Sequence, residues 1–230
     1  MSICICAVGN LSAEDNHLND KIMEENLNLT QEWDKTFPQS DKVSHTKVTF
    51  HNRYGITLTA DLYIPKNIGD KLPAIAVSGP FGAVKEQASG LYAQRLAECG
   101  FLTIAFDPSY TGESGGEPRY VASPDINTED FCAAVDYLST RDDVDAECIG
   151  ILGICGWGGM ALNAAAIDTR IKATVTVTMY DMSRVNANGY FDTMDADQRH
   201  ELRRQLNAQR TLDAKNGTYE LAGGVVDPLP

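Results

Sequence analysis

The chain has no apolar run long enough to cross a bilayer, so no membrane span is expected. It has no basic tract to set against a formal net charge of −13. That imbalance argues against nucleic acid and anionic membrane surfaces as partners, because like charges repel. The six cysteines, Cys4, Cys6, Cys99, Cys132, Cys148 and Cys155, form no CxxC pair and no Cys/His cluster. A structural zinc site is therefore not expected, and a redox thiol would lack a resolving cysteine at useful spacing. The glycine-rich stretch after residue 152 lacks both the lysine of a phosphate loop and the GxGxxG spacing of a dinucleotide site. No metal and no cofactor follow from this pattern. Histidine is scarce, with only His17, His45, His51 and His200.

What is present is ordinary in bulk. At 230 residues, 43% apolar and 22% charged, the chain suffices for one sizeable α/β domain with its own core. The first residues, Met1 to Val8, are apolar, and Leu11-Ser12-Ala13 before Glu14-Asp15 has the small residues of a cleavage site. Two readings stand: the back half of a secretory signal without its basic front, or a strand-like terminus. The first implies a periplasmic or secreted protein, the second a cytoplasmic one. Residues 14–42 are polar, with Ile22, Leu27, Leu29 and Trp33 at helical spacing before Pro38. They predict an N-terminal helix, so residues 1–42 form an extension ahead of the core.

From residue 43 the pattern alternates. Lys47–His51 and Thr57–Ile64 have β composition and flank the turn-like Asn52-Arg53-Tyr54-Gly55, which predicts an antiparallel hairpin. Apolar strands follow at Leu72–Val77, Phe101–Phe106, Cys148–Leu152 and Ile171–Met179. Between them lie helices over Lys85–Cys99, with Leu91, Leu96 and Ala97 on one side, from an N-cap within Asn127–Asp130 onward, and over Gly158–Ile167. Cys99 and Cys132 fall in these helices as buried small hydrophobes. Continuous apolar strands separated by helices predict a mostly parallel sheet covered on both faces. The core spans residues 43–182. After it, Asp195–Lys215 reads as a charged, cap-like helix within an excursion over 183–230 that brings no return strand.

Three loops carry the chemistry. Gly150–Ile154 is a strand that breaks at Cys155-Gly156-Trp157-Gly158-Gly159 into a helix. A cysteine on such a turn needs small neighbours. Gly153 and Gly156 supply them, while Trp157 stands where a small residue is common. The helix start beyond favours a thiolate. A buried, inert cysteine in an ordinary turn is the other reading. Ser78-Gly79-Pro80-Phe81-Gly82 directly follows a strand. Pro80 cannot donate, so Phe81 is the expected backbone donor to an oxyanion, with Gly79 in reserve and Gly156 as its partner. Asp107–Gly116 follows the next strand, and there Asp107 and Ser109 are expected to shape the loop by local bonds.

In order and spacing, the hairpin, these three loops and Val175–Met182 resemble the α/β-hydrolase superfamily. Within it they are most similar to enzymes related to dienelactone hydrolase and to bacterial peptidase- or esterase-like hydrolases. The resemblance covers residue 44 onward. It implies an α/β-hydrolase fold, a nucleophile at Cys155, an acid after a late strand and a histidine after the last. Asp181 is the candidate acid, with helix capping as its alternative. Gly79, Tyr110, Trp157 and Tyr180 are expected to line the pocket. No histidine takes the base position: His45 and His51 lie on the hairpin, His17 in the extension and His200 on the charged helix, all read as surface residues.

The expected function is hydrolysis of an ester, thioester or amide in a small molecule or peptide, impaired by the lack of a base. The alternative is a truncated, non-catalytic homologue or binding module that keeps the crevice. In either case the missing last strands would leave a sheet edge open to association between copies.

Overall fold

The computed structural model describes residues 27–30, 32–66, 69 and 71–221. The signal-like terminus, most of the predicted N-terminal helix and residues 222–230 lie outside them. The described residues form strands β1 (Val43–His51), β2 (Thr57–Pro65), β3 (Leu72–Ser78), β4 (Leu102–Phe106), β5 (Val144–Ile154) and β6 (Ile171–Val177). The helices are α1 (Ala88–Glu98), α2 (Pro124–Ser139), α3 (Gly156–Ile167), α4 (Met182–Asn188) and α5 (Ala196–Asn216).

The sheet order is β1-β2-β4-β3-β5-β6. β1 and β2 pair antiparallel as the hairpin predicts, and β2 joins β4 antiparallel. β4, β3, β5 and β6 are mutually parallel. After β3 the chain steps to one side for β4, then returns past β3 to lay down β5. The strand order reverses there, and a crevice opens beyond the carboxyl ends of β3 and β5. Two of the three loops expected to hold the chemistry, those after β3 and β5, leave the sheet at that point.

Alternation along the strands divides the core. Leu102, Ile104 and Phe106 of β4 and Ile149 and Ile151 of β5 face the layer of α2 and α3, packing on Phe131, Val135, Leu138, Met160 and Ala164. Ala105, Leu152 and Ile154 point to the opposite face, against Ala93 and Ala97 of α1. Helices thus cover both faces. β6 has no second neighbour among the described residues, and its Val175 is 51% exposed.

Several local expectations are corrected. Residues 27–30 and 32–42 are an irregular strap rather than helix, because their polar groups bond elsewhere. Trp33 Nε1 donates to the Phe37 carbonyl (2.9 Å) and the Thr30 N–H to Glu113 (2.6 Å), while Lys35 Nζ lies 3.1 Å from buried Asp61. His45 is not a free surface residue: its Nε2 lies 2.8 Å from Asp61 Oδ1. α2 begins at Pro124, ahead of the predicted cap. Asn127 instead accepts from the Ser123 N–H (2.8 Å), and Asp130 is buried within the helix, where it accepts from Ser109 and Asn52. Cys132 is buried as expected, and burial pushes its thiol up to about 11. Cys99 is exposed, because α1 turns Ala93, Gln94 and Ala97 inward instead. Leu91 is likewise 37% exposed. The charged helix forms over the expected span as α5, with a capping box between Asp195 and Gln198, left-handed Gly217 at its end and no buried residue.

A cluster of buried charges ties the strap to the core. Glu113 sits 2.6 Å from Lys47 Nζ and 2.7 Å from Lys85 Nζ. Burial raises its pKa, but the hydrogen bonds from Lys47 and Lys85 outweigh that and bring it to about 2. A depressed folded-state pKa means that stability is fully present above the ordinary value of 4.5 and is lost as pH falls towards 2. Urea midpoints between pH 6 and pH 2.5 should therefore decline, and the decline should be shallower in Glu113→Gln. Parallel profiles for the two proteins would show that Glu113 does not carry the effect.

Candidate active site

β5 ends at Ile154 and α3 begins at Gly156, leaving Cys155 alone between them. Its backbone stands at φ 58°, ψ −125°, a conformation that costs a residue with a Cβ roughly 1–3 kcal/mol. The Cys155 N–H donates to the Val177 carbonyl at the end of β6 (2.8 Å), and its carbonyl accepts from the Gly158 N–H (3.0 Å). These bonds fix the turn on both sides. The result is a sharp strand-to-helix elbow with its one strained residue at the apex.

The sequence around the turn is dictated by close approach. A Cβ on Gly153 would lie 2.4 Å from the Trp157 carbonyl oxygen and 2.8 Å from Gly158 Cα, so the first turn of α3 packs on bare backbone there. A Cβ on Gly156 would lie 1.9 Å from the Phe81 ring. The strain also allows a stability test. At most positions glycine is the less stable residue, but at φ 58° it relieves the conformation. Cys155→Gly should exceed Cys155→Ala in unfolding free energy by about 1 kcal/mol. The reverse order in denaturant titrations would mean that the turn is not strained in solution.

Phe81 lies directly over the elbow. Its ring packs edge-on against Trp157, with centroids 4.4 Å apart. Among the described residues its N–H meets no acceptor. Gly156 opens α3, and the first N–H groups of a helix have no partner within it. Gly79 packs against the Ile154 carbonyl below the turn. Trp157, expected in the pocket wall, is 3% exposed and belongs to the main core cluster, which explains how a large residue is accommodated two places after the cysteine. Tyr110 is half-buried, with its ring against Gly116, and Tyr180 is exposed beside Tyr190.

Asp181 follows β6 but is engaged as a helix cap. Its Oδ1 accepts from the Arg184 N–H (2.9 Å) and from Ser183 Oγ (2.6 Å). Those bonds, Ser183's first, hold its carboxyl below the usual range. Among the described residues no histidine hydrogen-bonds Cys155. His45 and His51 sit on β1, at the opposite end of the sheet order from β5 and β6, and His200 is exposed on α5. Sequence reasoning left Lys85 as a mere helix residue. It is 1% exposed and bound to Asp107 by both its N–H and its ammonium. A lone lysine after a glycine loop gives no pattern from which that could be read.

Sheet order, crossover point and strained turn together define an α/β-hydrolase. Residues 54–221 match the family model of the X-Pro dipeptidyl-peptidases (S15 family), and the chain belongs to that family. It is 68% identical over 206 residues to the uncharacterized protein PA2218 of Pseudomonas aeruginosa, covering 86% of this chain and 56% of that one. The crystal structure of that protein superposes with a TM-score of 0.83 at 65% identity, covering 88% of this chain and 65% of the other. A more distant relative, thiohydrolase aneE of Aspergillus aculeatus, is 31% identical over 138 residues, 60% of this chain and 42% of its own. The chain spans about half the length of the curated relatives it matches.

Proposed function

We propose that Cys155 is the acyl-accepting nucleophile of a hydrolase acting on esters, thioesters or amides. The observation that carries this reading is the strained apex at φ 58° between β5 and α3, a conformation that a residue with a Cβ rarely adopts and that tends to mark functional sites. The thiolate sulfur attacks the substrate carbonyl carbon, and the oxygen takes up the charge. The N–H groups of Phe81 and Gly156 are the donors for that oxyanion. Collapse of the tetrahedral intermediate expels the alkoxide or thiolate, or an amine once its nitrogen has taken a proton from water, and leaves an acyl thioester on Cys155. The start of α3 favours negative charge at the adjoining sulfur through its dipole.

Thioesters are the favoured class. The relative named a thiohydrolase supports this, as does the chemistry: a thiolate leaving group departs without protonation, so a site with no acid beside the sulfur can still be acylated. Deacylation is different. Water needs a general base, whose help is commonly worth about 10²–10⁴-fold, and among the described residues none stands beside Cys155. The reading therefore predicts acylation without efficient turnover in this 230-residue chain. Incubation with a short-chain acyl thioester or nitrophenyl ester, followed by peptide mapping, should place the acyl group on Cys155. Acylation elsewhere, or none, would reject the assignment and favour a binding module that keeps only the crevice.

A further inference from the structure

A buried ion pair joins the loop after β3, whose Phe81 packs against the elbow, to the loop after β4. Lys85 is 1% exposed and Asp107 fully buried. Asp107 Oδ1 accepts from the Lys85 N–H (2.8 Å), and Oδ2 accepts from Lys85 Nζ (2.9 Å) and from the Glu113 N–H (2.9 Å). The ammonium also reaches Glu113 (2.7 Å) and Glu86 (2.5 Å). Burial alone would lower the Lys85 pKa. The charge of Asp107 and the bonds to Glu113 and Glu86 outweigh it and hold the lysine above its ordinary range.

The position of this pair matters more than its strength. Buried ion pairs contribute little net stability, because desolvation cancels most of the attraction. Here the pair fixes one particular segment. The loop carrying Phe81 leaves β3 at Ser78, whose Oγ donates to the Phe106 carbonyl (3.0 Å), and it is caught again at Lys85 by Asp107. Both ends of the loop are thus pinned to two consecutive residues at the end of β4. Asp107 is itself held, its N–H by the Thr59 carbonyl (3.0 Å) and its carbonyl by Ser114 Oγ (2.6 Å). On the far side its carboxylate rests against Gly112, where a Cβ would come within 2.2 Å of Oδ2.

We propose that the Lys85–Asp107 pair is a positioning device that sets the Phe81 N–H over Cys155 for the oxyanion. The proposal rests on Cys155 being the nucleophile and Phe81 an oxyanion donor. Lys85 and Asp107 touch no reacting atom and act through the loop.

Two reactions of the same sulfur separate positioning from mere folding. Attack on p-nitrophenyl acetate forms the S–C(acyl) bond, passes through an oxyanion and releases nitrophenolate. Attack on iodoacetamide forms an S–CH₂ bond in one displacement, releases iodide and creates no oxyanion. In Asp107→Asn, acylation of Cys155 should fall by about 10–100-fold, the scale of a misplaced or lost oxyanion donor, while alkylation stays within about twofold of wild type. Gly112→Ala displaces the carboxylate without removing a charge and should lower the same ratio. It carries the test if Asp107→Asn does not fold. Acylation and alkylation falling together, or a ratio unchanged in a folded variant, would overturn the positioning role. Wild-type protein that alkylates at Cys155 but never acylates there would reject the underlying oxyanion site, a result that the variants alone cannot produce.

Discussion

Wild-type chain mixed with excess p-nitrophenyl acetate should release one burst of nitrophenolate and then nearly stop, whereas Cys155→Ala should show no burst. The burst reports the acyl thioester, and its arrest is expected because no base stands beside the sulfur among the described residues. Among the described residues His45 and His51 are on β1, where His45 is already bound to Asp61, and His200 is exposed on α5. A base commonly contributes about 10²–10⁴-fold to the proton transfer that deacylation needs, so the steady rate after the burst should lie below the acylation rate by about that factor. Hydroxylamine, a stronger nucleophile than water, should restore turnover without any base. Continuous release at the burst rate would contradict this account, because a base would then have to lie within reach of the sulfur. A burst surviving in Cys155→Ala would move the chemistry to another residue.

The second large effect lies in the glycines around the cysteine. Gly153→Ala should lower stability by about 1–3 kcal/mol, the usual range for overpacking, and should slow acylation with it. The added Cβ would meet only backbone, the Trp157 carbonyl and Gly158 Cα, so the start of α3 must move and carry the Gly156 N–H away. Gly159→Ala is the matched contrast. There the nearest atom, the Tyr180 carbonyl oxygen, is 3.9 Å from the new Cβ, and alanine is worth about 1 kcal/mol over glycine inside a helix. That variant should be as stable as wild type or more so. Similar losses from both substitutions would show that the turn tolerates side chains indifferently and that the elbow geometry imposes no demand.

The sheet was legible because its strands are continuous apolar runs and its helices end in glycine or polar caps. The sharp turn at Cys155 was legible because close approach needs glycine, and the glycines at 153 and 156 stand where a Cβ would collide. The strap over residues 32–42 was not. Leu27, Leu29 and Trp33 have spacing that suits a helix face, but the Trp33 ring meets Phe37 and His45, while Thr30 and Lys35 reach Glu113 and Asp61 on other segments. Pairing of that kind leaves no periodic trace. The same limit hid Lys85 and Asp107, which are 22 residues apart and meet only once β3 and β4 are side by side. For Asp181 the sequence left a catalytic acid and a helix cap open, and in the structure it caps α4.

The assignment of Cys155 rests most directly on its reactivity. Brief labelling with iodoacetamide at neutral pH, read by peptide mass spectrometry, compares it with Cys99 and Cys148, which are exposed, and Cys132, which is buried. Cys155 is only partly exposed, so accessibility alone would place it behind the two surface thiols. An elbow thiolate supported by the start of α3 should be modified first and fastest. Labelling of Cys99 and Cys148 ahead of Cys155 would contradict the account and leave Cys155 as a packing residue in a strained turn.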